Sequence, residues 1–479
     1  MARIALVNLP FQAEVASVAQ TSVGPPMGLA YLAAVLRDAG HTVRLLDANA
    51  LGLSLGDIGR EIVDFEPQVV GTTAATPSIG LADRFGRMVH NLFSHPVPVV
   101  VGGPHASALP AETLAQFPGI DVAVVGEGES IAAPLVSTLA EGLLPERIPG
   151  VAFRTEKRSG RSRVDADVQV NPQAPPVQEL DRLPFPARDL LPNRRYRTID
   201  AWPTTCMVAM RGCPAGCNYC NVPGLAGRMV RRRTPQNVVA EMTDVSARYG
   251  VRHFSFLDDT FSTSRSWVES FCQALATSGL SSEVTWSCLT RPDLVDLPLL
   301  RTMKEAGLTR LEMGIESGSP AVLDMLGKGA RIEQIREAFS MARQVGLVTL
   351  GFAMVNTPEE TLEDLEKTAE EVLSIDPDFL QLSFCTPYPG TLLFDYCREN
   401  GLLLTTDWEE YRFLRTPVIR HRHLTDSQVV DRHREILRRF YARPGKAARL
   451  ARLALLHPST AKSFAFTSYL AVRHLFGKR

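Results

Sequence analysis

Long apolar runs and an excess of charge of either sign are both missing from this chain of 479 residues. No stretch approaches the ~20 apolar residues that cross a bilayer. The amino terminus opens on a strand-like segment, residues 3–9, without the basic region and cleavage site of a signal peptide. Lys and Arg (51) nearly balance Asp and Glu (52). We therefore expect a cytoplasmic protein of about two to four domains, with no nucleic acid as a partner.

Charge is nevertheless unevenly distributed along the chain. Residues 420–479 contain 14 Lys and Arg against 3 Asp and Glu, so this basic tail carries +11 and the remainder −12. Three explanations stay open: contact with an anionic lipid surface, contact with an acidic partner, or contact with the acidic body of the same protein. The first of these predicts a peripheral membrane contact through the tail.

The eight cysteines show no even pairing, which suits a reducing compartment. Cys213, Cys217 and Cys220 form a C-x3-C-x2-C run just after a short apolar strand. Three thiolates on one loop can hold three irons of a [4Fe–4S] cluster and leave the fourth iron open. A structural zinc ion would need a fourth ligand, yet no second C-x-x-C pair and no H-x3-H pair follows. A dithiol redox pair would leave Cys213 unexplained, so the spacing favours the cluster.

Residues 1–142 alternate between short valine-rich segments and segments of helical period. The pattern predicts strands at 3–9, 42–47, 68–74, 97–101 and 121–125, and helices at 27–39, 55–65, 79–93, 111–117 and 130–141. This alternation is typical of an α/β fold with a doubly wound, Rossmann-like parallel sheet. Ligands of such sheets lie beyond the carboxyl ends of the strands, which here are rich in glycine and proline.

The remaining chain divides into three stretches. Residues 143–205 are polar and proline-rich and are predicted to form a linker. Residues 206–400 contain six βα units, with strands at 206–211, 252–258, 284–289, 309–315, 348–355 and 379–385 and helices at 235–249, 264–278, 297–306, 332–345, 361–374 and 391–399. A closed barrel needs eight such units, so a partial barrel is expected. Residues 401–479 are helical and basic, with helical spacing at 432–441 and 447–456.

The cysteine run resembles the signature of the radical S-adenosylmethionine (SAM) enzymes, in which the open iron binds SAM. The glycine-rich strand ends of residues 1–142, taken in order, resemble the cobalamin-binding domain that precedes many radical SAM barrels. Together they resemble the cobalamin-dependent radical SAM family. The resemblance implies a cobalamin-binding domain at 1–142, a linker at 143–205, a partial (β/α)6 barrel at 206–400 and a helical region at 401–479. It implies three cofactors: a [4Fe–4S] cluster, SAM and cobalamin.

The resemblance places SAM contacts at the ends of the barrel strands. The implied residues are Tyr219, Asp258, Asp259, Ser287, Arg291, Glu312, Glu316 and Ser317. Plainer explanations stay open for some of them, since one aspartate would serve as a helix cap, Arg291 as a surface ion pair and Tyr219 as packing beneath the cluster. Tyr388 is a candidate for the wall of the substrate cavity. The charge run at residues 231–233 is expected to be solvated unless an anionic cofactor or substrate lies beside it.

The resemblance places cobalamin contacts at the ends of the first-domain strands. The implied residues are Pro26, Gly28, Thr73, Gly102, Gly103, His105, Gly126 and Glu127. The D-x-H-x-x-G string whose histidine ligates cobalt in some cobalamin domains does not occur in residues 1–142. We therefore expect cobalamin to bind with its own base displaced and without a histidine from that motif.

The activity implied by the resemblance is methylation of an unactivated carbon of a small molecule, through a 5′-deoxyadenosyl radical and methylcobalamin. Radical cyclisation, ring contraction or oxidation with the same cofactors stays open as an alternative. A non-catalytic cobalamin-binding or light-sensing protein would give no role to the three cysteines. A reductant such as flavodoxin or ferredoxin is the expected protein partner.

Overall fold

The computed structural model describes residues 1–10, 22–155 and 167–456. Its first sheet has seven strands in the order β2-β1-β3-β4-β5-β6-β7. The strands are β1 (Arg3–Asn8), β2 (Thr42–Asp47), β3 (Val69–Thr73), β4 (Val99–Gly102), β5 (Val122–Val124), β6 (Val151–Arg154) and β7 (Val168–Val170). The first five pair in parallel and the last two add antiparallel.

Helices cover both faces of this sheet. They are α1 (Met27–Asp38), α2 (Ala48–Leu51), α3 (Leu55–Phe65), α4 (Ile79–Leu92), α5 (Pro104–Ala108), α6 (Pro110–Gln116) and α7 (Ala132–Ala140). Alternate residues of β1 enter different cores: Ile4 and Leu6 pack on the side of α1 and α7, whereas Ala5 and Val7 pack on the side of α3 and α4. This period of two explains why buried parallel strands appear as continuous apolar runs in the sequence.

The first sheet does not end at residue 142. Strands β6 and β7 lie within the stretch that the sequence indicated as a linker, and both belong to the first sheet. The polar segment that connects β6 to β7 includes residues 156–166, which lie outside the described part of the chain. We therefore propose that the first domain extends to about residue 170, since a strand paired into a sheet belongs to that sheet's domain.

The second sheet contains six parallel strands in the order β15-β14-β13-β12-β11-β8. The strands are β8 (Thr204–Met207), β11 (His253–Phe256), β12 (Thr285–Thr290), β13 (Leu308–Glu316), β14 (Val348–Val355) and β15 (Phe379–Phe384), while β9 (Met210–Arg211) and β10 (Arg231–Arg232) form a separate antiparallel ribbon. The helices are α8 (Val222–Leu225), α9 (Pro235–Tyr249), α10 (Arg265–Thr277), α11 (Leu297–Glu305), α12 (Pro320–Met325), α13 (Ile332–Gln344), α14 (Leu362–Ile375) and α15 (Leu392–Glu399). The predicted partial barrel is confirmed.

The two faces of the second sheet differ in chemistry. On β13, Leu311, Met313 and Ile315 are fully buried in the apolar core beneath the helices. The alternate residues Arg310 and Glu312 belong to the other face, inside the partial barrel. The interior therefore carries polar and half-buried side chains, as a binding cavity requires and a packed core does not.

The described part of the basic tail contacts the protein itself. It forms α16 (Asp426–Tyr441) and α17 (Pro444–Leu456). Arg443, Lys446 and Arg449 all form ion pairs with Asp376, next to the start of β15. No helix among the described residues is both long and apolar enough to span a membrane. Of the three explanations for the tail, contact with the protein's own acidic groups accounts for these three cations.

Candidate active site

The cysteine loop begins directly after the ribbon strand β9 and is held at both ends. Gly212 has a φ of +95°, and a Cβ there would lie 2.5 Å from the carbonyl oxygen of Met229, so only glycine fits. The Cys213 amide donates to the Gly227 carbonyl at 3.2 Å. Farther along, the Asn218 amide donates to the Leu326 carbonyl at 2.9 Å. These backbone contacts fix the loop independently of any cluster.

The three thiols differ in exposure. Cys213 is buried, whereas Cys217 and Cys220 are half-buried. Burial raises the pKa of the Cys220 thiol to about 11, with a smaller contribution from the nearby carboxylate of Asp259. Among the described residues, no three His, Cys, Asp or Glu side chains converge closely enough to hold a single metal ion. A [4Fe–4S] cluster makes no such demand, because each thiolate binds a different iron, so this donor set fits a cluster.

Arg291 lies beside the cysteine loop. Its Nη1 is 3.7 Å from Cys217 Sγ, and its Nε and Nη2 donate to the two oxygens of Asp293 at 2.9 and 3.0 Å. A further hydrogen bond runs to the Lys328 carbonyl at 2.7 Å. Arg291 thus forms an ion pair, but its side chain is only 13% exposed, so the pair is not at the surface. The pairing also holds a fixed cation next to the site where a SAM carboxylate is expected.

Tyr219 belongs to the cysteine loop, and Glu316 lies close to it. Burial raises the pKa of Tyr219 well above its usual range, and the carboxylate of Glu316 adds to the effect. Glu316 follows a bulge in β13, has a φ of +61° and pairs with Lys328 Nζ at 2.7 Å. A non-glycine residue in this conformation costs of order 1 kcal/mol and is often found at functional sites. Arg291, Tyr219 and Glu316 are thus brought together around the cysteines.

The two predicted aspartates have different surroundings. Asp258 is buried, and its Oδ1 accepts hydrogen bonds from the amides of Ala209, at 2.8 Å, and Met210. Burial raises its pKa to about 7, and its Oδ2 has no partner. Asp259 is half-buried, with a pKa raised by burial to about 6. Asp258 therefore ties β11 to the start of the ribbon, while Asp259 is the carboxylate that approaches Cys220.

Three predicted SAM residues do not reach the cysteine loop. Ser287 and Glu312 lie lower inside the barrel, where both hydrogen bond to Arg310. Ser317 is fully buried and bonds to Thr368 Oγ1 of α14 at 2.8 Å. Ser317 follows Glu316, so strand alternation turns it to the helix side. The resemblance placed these residues at SAM and not at the cysteine loop, so as SAM contacts they stay predictions.

A cavity of about 440 Å³ opens at the carboxyl ends of β3, β4 and β5. Six of the residues predicted for cobalamin line it: Gly28, Thr73, Gly102, Gly103, Gly126 and Glu127. Apolar side chains continue the cavity inward between the sheet and helices α1 and α7: Leu6, Leu29, Leu36, Val100, Leu135 and Val136. This inner part is suited to a displaced aromatic base, and the glycine-lined edge is suited to a flat macrocycle, so the residues fit cobalamin.

The barrel supplies the opposite wall of this cavity. Val208, Arg211, Leu225, Ala226 and Leu257 line it from that side. Leu257 is 53% exposed, which is unusual for a leucine at the end of a buried strand, and it directly precedes the two aspartates. The cavity therefore lies between the first sheet and the mouth of the barrel, close to the cysteine loop.

Pro26 and His105 do not line the cavity. Pro26 precedes α1, and its carbonyl accepts from Ala30 at 3.0 Å. His105 is buried and packs edge-on against Trp408, with ring centroids 5.2 Å apart, and against Phe117. Burial lowers its pKa to about 4. The prediction that His105 contacts cobalamin is thus at odds with its position, because a tryptophan from the carboxyl-terminal region covers its ring.

The carboxylate of Glu127 belongs to an ion-pair network at the cavity wall. Arg231 donates to both of its oxygens, at 2.7 and 2.8 Å, and Arg211 approaches to 3.5 Å while pairing with Glu129 at 2.6 Å. Burial opposes ionisation of Glu127, yet these arginines hold its pKa below the ordinary value. We call Arg211, Arg231, Glu127 and Glu129 the Arg211 network.

The charge run at residues 231–233 is not solvated as the sequence indicated. Arg231 is buried in the Arg211 network. Arg233 is buried against Glu241 at 2.5 Å, and Glu241 also pairs with Arg188 at 2.7 Å. The carboxylate that pairs with Arg231 comes from a distant part of the sequence, at Glu127, whereas Glu241 lies only eight residues after Arg233, on α9.

A change of Gly103 to alanine is expected to weaken cobalamin binding at least about tenfold, since ~1.4 kcal/mol corresponds to a factor of ten. Gly103 has a φ of +102°, and a Cβ would lie 2.6 Å from Thr73 Oγ1 and 2.8 Å from the Ala74 carbonyl. The loop must move, and it lines the cavity. Spectroscopic titration with cobalamin measures the effect. Gly52→Ala is the control, because Gly52 has a φ of +70° with open space around it, and equal losses in both variants would contradict the prediction.

A buried carboxyl group lies just beyond β14. Glu360 Oε2 accepts from the amides of Asn356, at 2.7 Å, and Thr357, at 3.2 Å, while its Oε1 has no partner. Burial raises the pKa of Glu360 from 4.5 to about 8. The folded protein therefore keeps this proton at a pH where the unfolded chain has lost it. Its contribution to stability is fully present below pH 4.5 and is lost as the pH rises to about 8.

Glu360→Gln should therefore make the melting temperature less dependent on pH. The glutamine keeps the acceptor oxygen and replaces the protonated oxygen by an amide. We expect the variant to gain stability relative to wild type as the pH rises from 5 to about 9, as measured by thermal unfolding across that range. The matched change Glu363→Gln, at an exposed position three residues farther on in α14, should not show this trend. Parallel pH profiles for wild type and Glu360→Gln would disprove the buried-proton explanation.

Comparisons with known proteins agree with this architecture. The model of the B12 binding domain matches residues 15–136, and that of the Radical SAM superfamily matches residues 207–372. A first sheet with a cavity at its strand ends, set against a partial barrel that carries a three-thiolate loop, defines a radical SAM enzyme with a cobalamin domain. The chain belongs to the cobalamin-dependent radical SAM family, and its cofactors are a [4Fe–4S] cluster, SAM and cobalamin.

Two relatives cover most of the chain. An uncharacterized methyltransferase of Pyrococcus horikoshii is 34% identical over 442 residues, which is 92% of this chain and 93% of the relative. The anaerobic magnesium-protoporphyrin IX monomethyl ester cyclase of Rubrivivax gelatinosus is 30% identical over 427 residues, which is 87% of this chain and 74% of the relative.

Solved structures share the fold. The radical SAM methyltransferase TsrM of Kitasatospora setae, with cobalamin and a [4Fe–4S] cluster bound, superposes with a TM-score of 0.70 at 18% identity, covering 94% of this chain and 90% of that one. The cobalamin-dependent radical SAM enzyme OxsB, with aqua-cobalamin and SAM bound, gives 0.74 at 15% identity, covering 100% and 74%. At these identities the likeness concerns the fold.

Proposed function

We propose that this protein methylates an unactivated carbon of a small molecule. The observation that carries the proposal is the position of the cavity, which has the first sheet on one side and the barrel mouth, next to the cysteine loop, on the other. A methyl carrier held there would face the space where a SAM-derived radical forms. The methyltransferase relative, which matches over nearly its whole length, supports the same reaction class.

The residues of the chain have separable roles in this reaction. Cys213, Cys217 and Cys220 would hold the cluster, which supplies the electron that cleaves SAM when it is bound, and cobalamin supplies the methyl group. Arg291 and Asp259 would bind the carboxylate and ammonium of SAM, because they present a cation and a carboxylate beside the loop. Val208 and Leu257 would exclude water between the cavity and the barrel. The fold thereby contributes placement and a dry surrounding.

A second candidate reaction uses the same cofactors without net methylation, as in radical cyclisation. The specific observation in its favour is the cyclase relative at 30% identity over 87% of this chain. The cofactor-binding residues would be common to both reactions. The difference would arise in the substrate, which has to fit the half-buried polar interior of the barrel.

Anaerobic reconstitution with iron, sulfide and cobalamin, followed by reduction and addition of SAM, tests the proposal. Mass spectrometry of the small molecules should show 5′-deoxyadenosine together with methyl transfer from SAM to cobalamin. Cleavage of SAM without any methyl transfer would favour the cyclase-type reaction. Protein that holds both cofactors and gives neither product, even with candidate substrates present, would overturn the enzymatic proposal.

The partners and location belong to the same proposal. Two half-buried cysteines and an exposed Gly216 bring the loop close to the surface, which supports electron delivery by a small protein such as flavodoxin or ferredoxin. Free thiols support a reducing compartment, and we place the protein in the cytoplasm. Membrane contact through the basic tail would not use Arg443, Lys446 and Arg449, because these cations are paired with Asp376.

A further inference from the structure

The Arg211 network joins the wall of the cobalamin cavity to the cysteine loop. Glu127 and Glu129 belong to the loop after β5, and Arg211 belongs to the ribbon that precedes the cysteines. Glu127, Glu129 and Arg211 all line the cavity. Only Gly212 separates Arg211 from Cys213. Side chains that contact one cofactor site are therefore almost contiguous with a ligand of the other.

The contacts around Arg211 restrict its position from three directions. Its Nη2 is 2.6 Å from Glu129 Oε1, and its Nη1 is 3.5 Å from Glu127 Oε1. The guanidinium carbon lies 5.4 Å from the centroid of the Tyr31 ring, a cation–π contact. The side chain is 14% exposed, so water does not compete strongly for these groups. A planar guanidinium can satisfy such a set, whereas a lysine ammonium offers only a point charge.

The connections on either side of the network are stiff. Arg231 holds Glu127 through both oxygens and also donates to the carbonyls of Val177 and Ala226. Gly212 has no room for a side chain, because the backbone of Met229 lies against it. A shift of the carboxylates would therefore be passed to Cys213 rather than absorbed by a loose loop.

We propose that Arg211 is a positioning residue that sets the separation between cobalamin and the [4Fe–4S] cluster. The inference rests on the binding of both cofactors and not on which reaction they carry out. It assigns to Arg211 a role beyond holding two domains together, since an ion pair that only joins the domains could lie anywhere along their interface. The chain provides such an ion pair for comparison. Arg84 of α4 pairs with Glu409 at 2.5 Å, and neither residue lines the cavity.

The test compares Arg211→Met with Arg84→Met in the full-length protein reconstituted with both cofactors. Electron paramagnetic resonance of cob(II)alamin is recorded with the cluster reduced and paramagnetic, and again with it oxidised and diamagnetic. The faster relaxation of cob(II)alamin beside the reduced cluster, its relaxation enhancement, reports the distance between the cobalt and the cluster. The measurement needs neither substrate nor turnover. The enhancement falls with the sixth power of that distance, so it responds steeply to a displacement of about 1 Å, which is enough to impair a site.

We expect Arg211→Met to shift the enhancement away from the wild-type value, Arg211→Lys to lie between the two, and Arg84→Met to match wild type. An unchanged enhancement in Arg211→Met at full cofactor content would overturn the inference, and so would an equal change in Arg84→Met. If Arg211→Met does not retain cobalamin, Glu129→Gln decides, because Arg211 then keeps Glu127. A change in the relaxation enhancement of Glu129→Gln supports the inference, even if it is smaller than the change expected for Arg211→Met. An unchanged enhancement in Glu129→Gln overturns the inference. The measurement does not require methyl transfer, so its outcomes stay interpretable if the proposed methylation itself fails.

Discussion

Replacing Cys213 by alanine is expected to abolish reductive cleavage of SAM while leaving cobalamin bound. The change removes one of three cluster ligands, and the two remaining thiolates cannot hold a site-differentiated [4Fe–4S] cluster. The cavity is lined by other residues, so its affinity for cobalamin should stay near that of wild type. Iron content and 5′-deoxyadenosine formation after anaerobic reduction measure the first effect, and the cobalamin absorption spectrum measures the second.

Cys272→Ala is the matched control for this experiment. Cys272 is also buried and unpaired, but it belongs to the apolar core beneath α10. Its loss should cost some stability and no iron. Retained SAM cleavage in Cys213→Ala, or equal loss of iron in both variants, would mean that the cysteine loop is not the cluster site.

The largest effect on stability is expected from Glu241→Gln. Glu241 lies between Arg188 and Arg233 and is 1% exposed. Its neutral replacement removes the carboxylate with which both buried arginines pair, which should lower the free energy of unfolding by about 3–5 kcal/mol. Arg188 also donates to Thr205 and to the carbonyl of Cys206 on β8, so the loss should reach the first barrel strand. Scanning calorimetry of the barrel transition is the appropriate measurement.

An exposed ion pair of the same barrel provides the comparison. Glu269 pairs with Arg265 at 2.8 Å on α10, and both side chains are about half exposed. Glu269→Gln should cost about 0.3–0.5 kcal/mol. If Glu241→Gln lowers the free energy of unfolding no more than Glu269→Gln does, the buried ion pairs of Glu241 with Arg188 and Arg233 do not contribute the stability predicted for them.

Much of the fold could be predicted from periodicity because the strands are buried on a regular pattern. The predicted strand 348–355 and helix 235–249 have the observed limits, and the six βα units of the barrel are all present. The first barrel strand differs, since it ends at Met207 and not at residue 211. The carboxylate of Asp258 takes the amides of Ala209 and Met210, so the chain leaves the sheet there and enters the ribbon. A long-range side-chain contact of this kind leaves no periodic signal.

In the candidate site too, features set by local backbone geometry could be predicted, and features set by long-range contacts could not. The cysteine loop and the glycine-lined cavity edge were predictable, because local backbone geometry demands particular residue types there. Arg211 was missed because its partners lie more than eighty positions earlier in the chain, at Glu127 and Glu129. His105 was misplaced because its cover is supplied by Trp408. Ion pairs and ring contacts between distant segments could not be inferred from one sequence.

The contacts of Trp408 and Glu409 have a consequence for the order in which the protein is made. Synthesis delivers the cobalamin domain before this covering segment, and domains generally begin folding as they emerge. The ring of His105 and the surface of α4 around Arg84 therefore wait for Trp408 and Glu409 until the barrel has been made. A segment made after the barrel thus completes the domain made before it. A transplant of the amino-terminal domain into another barrel would accordingly have to carry residues 404–412 with it.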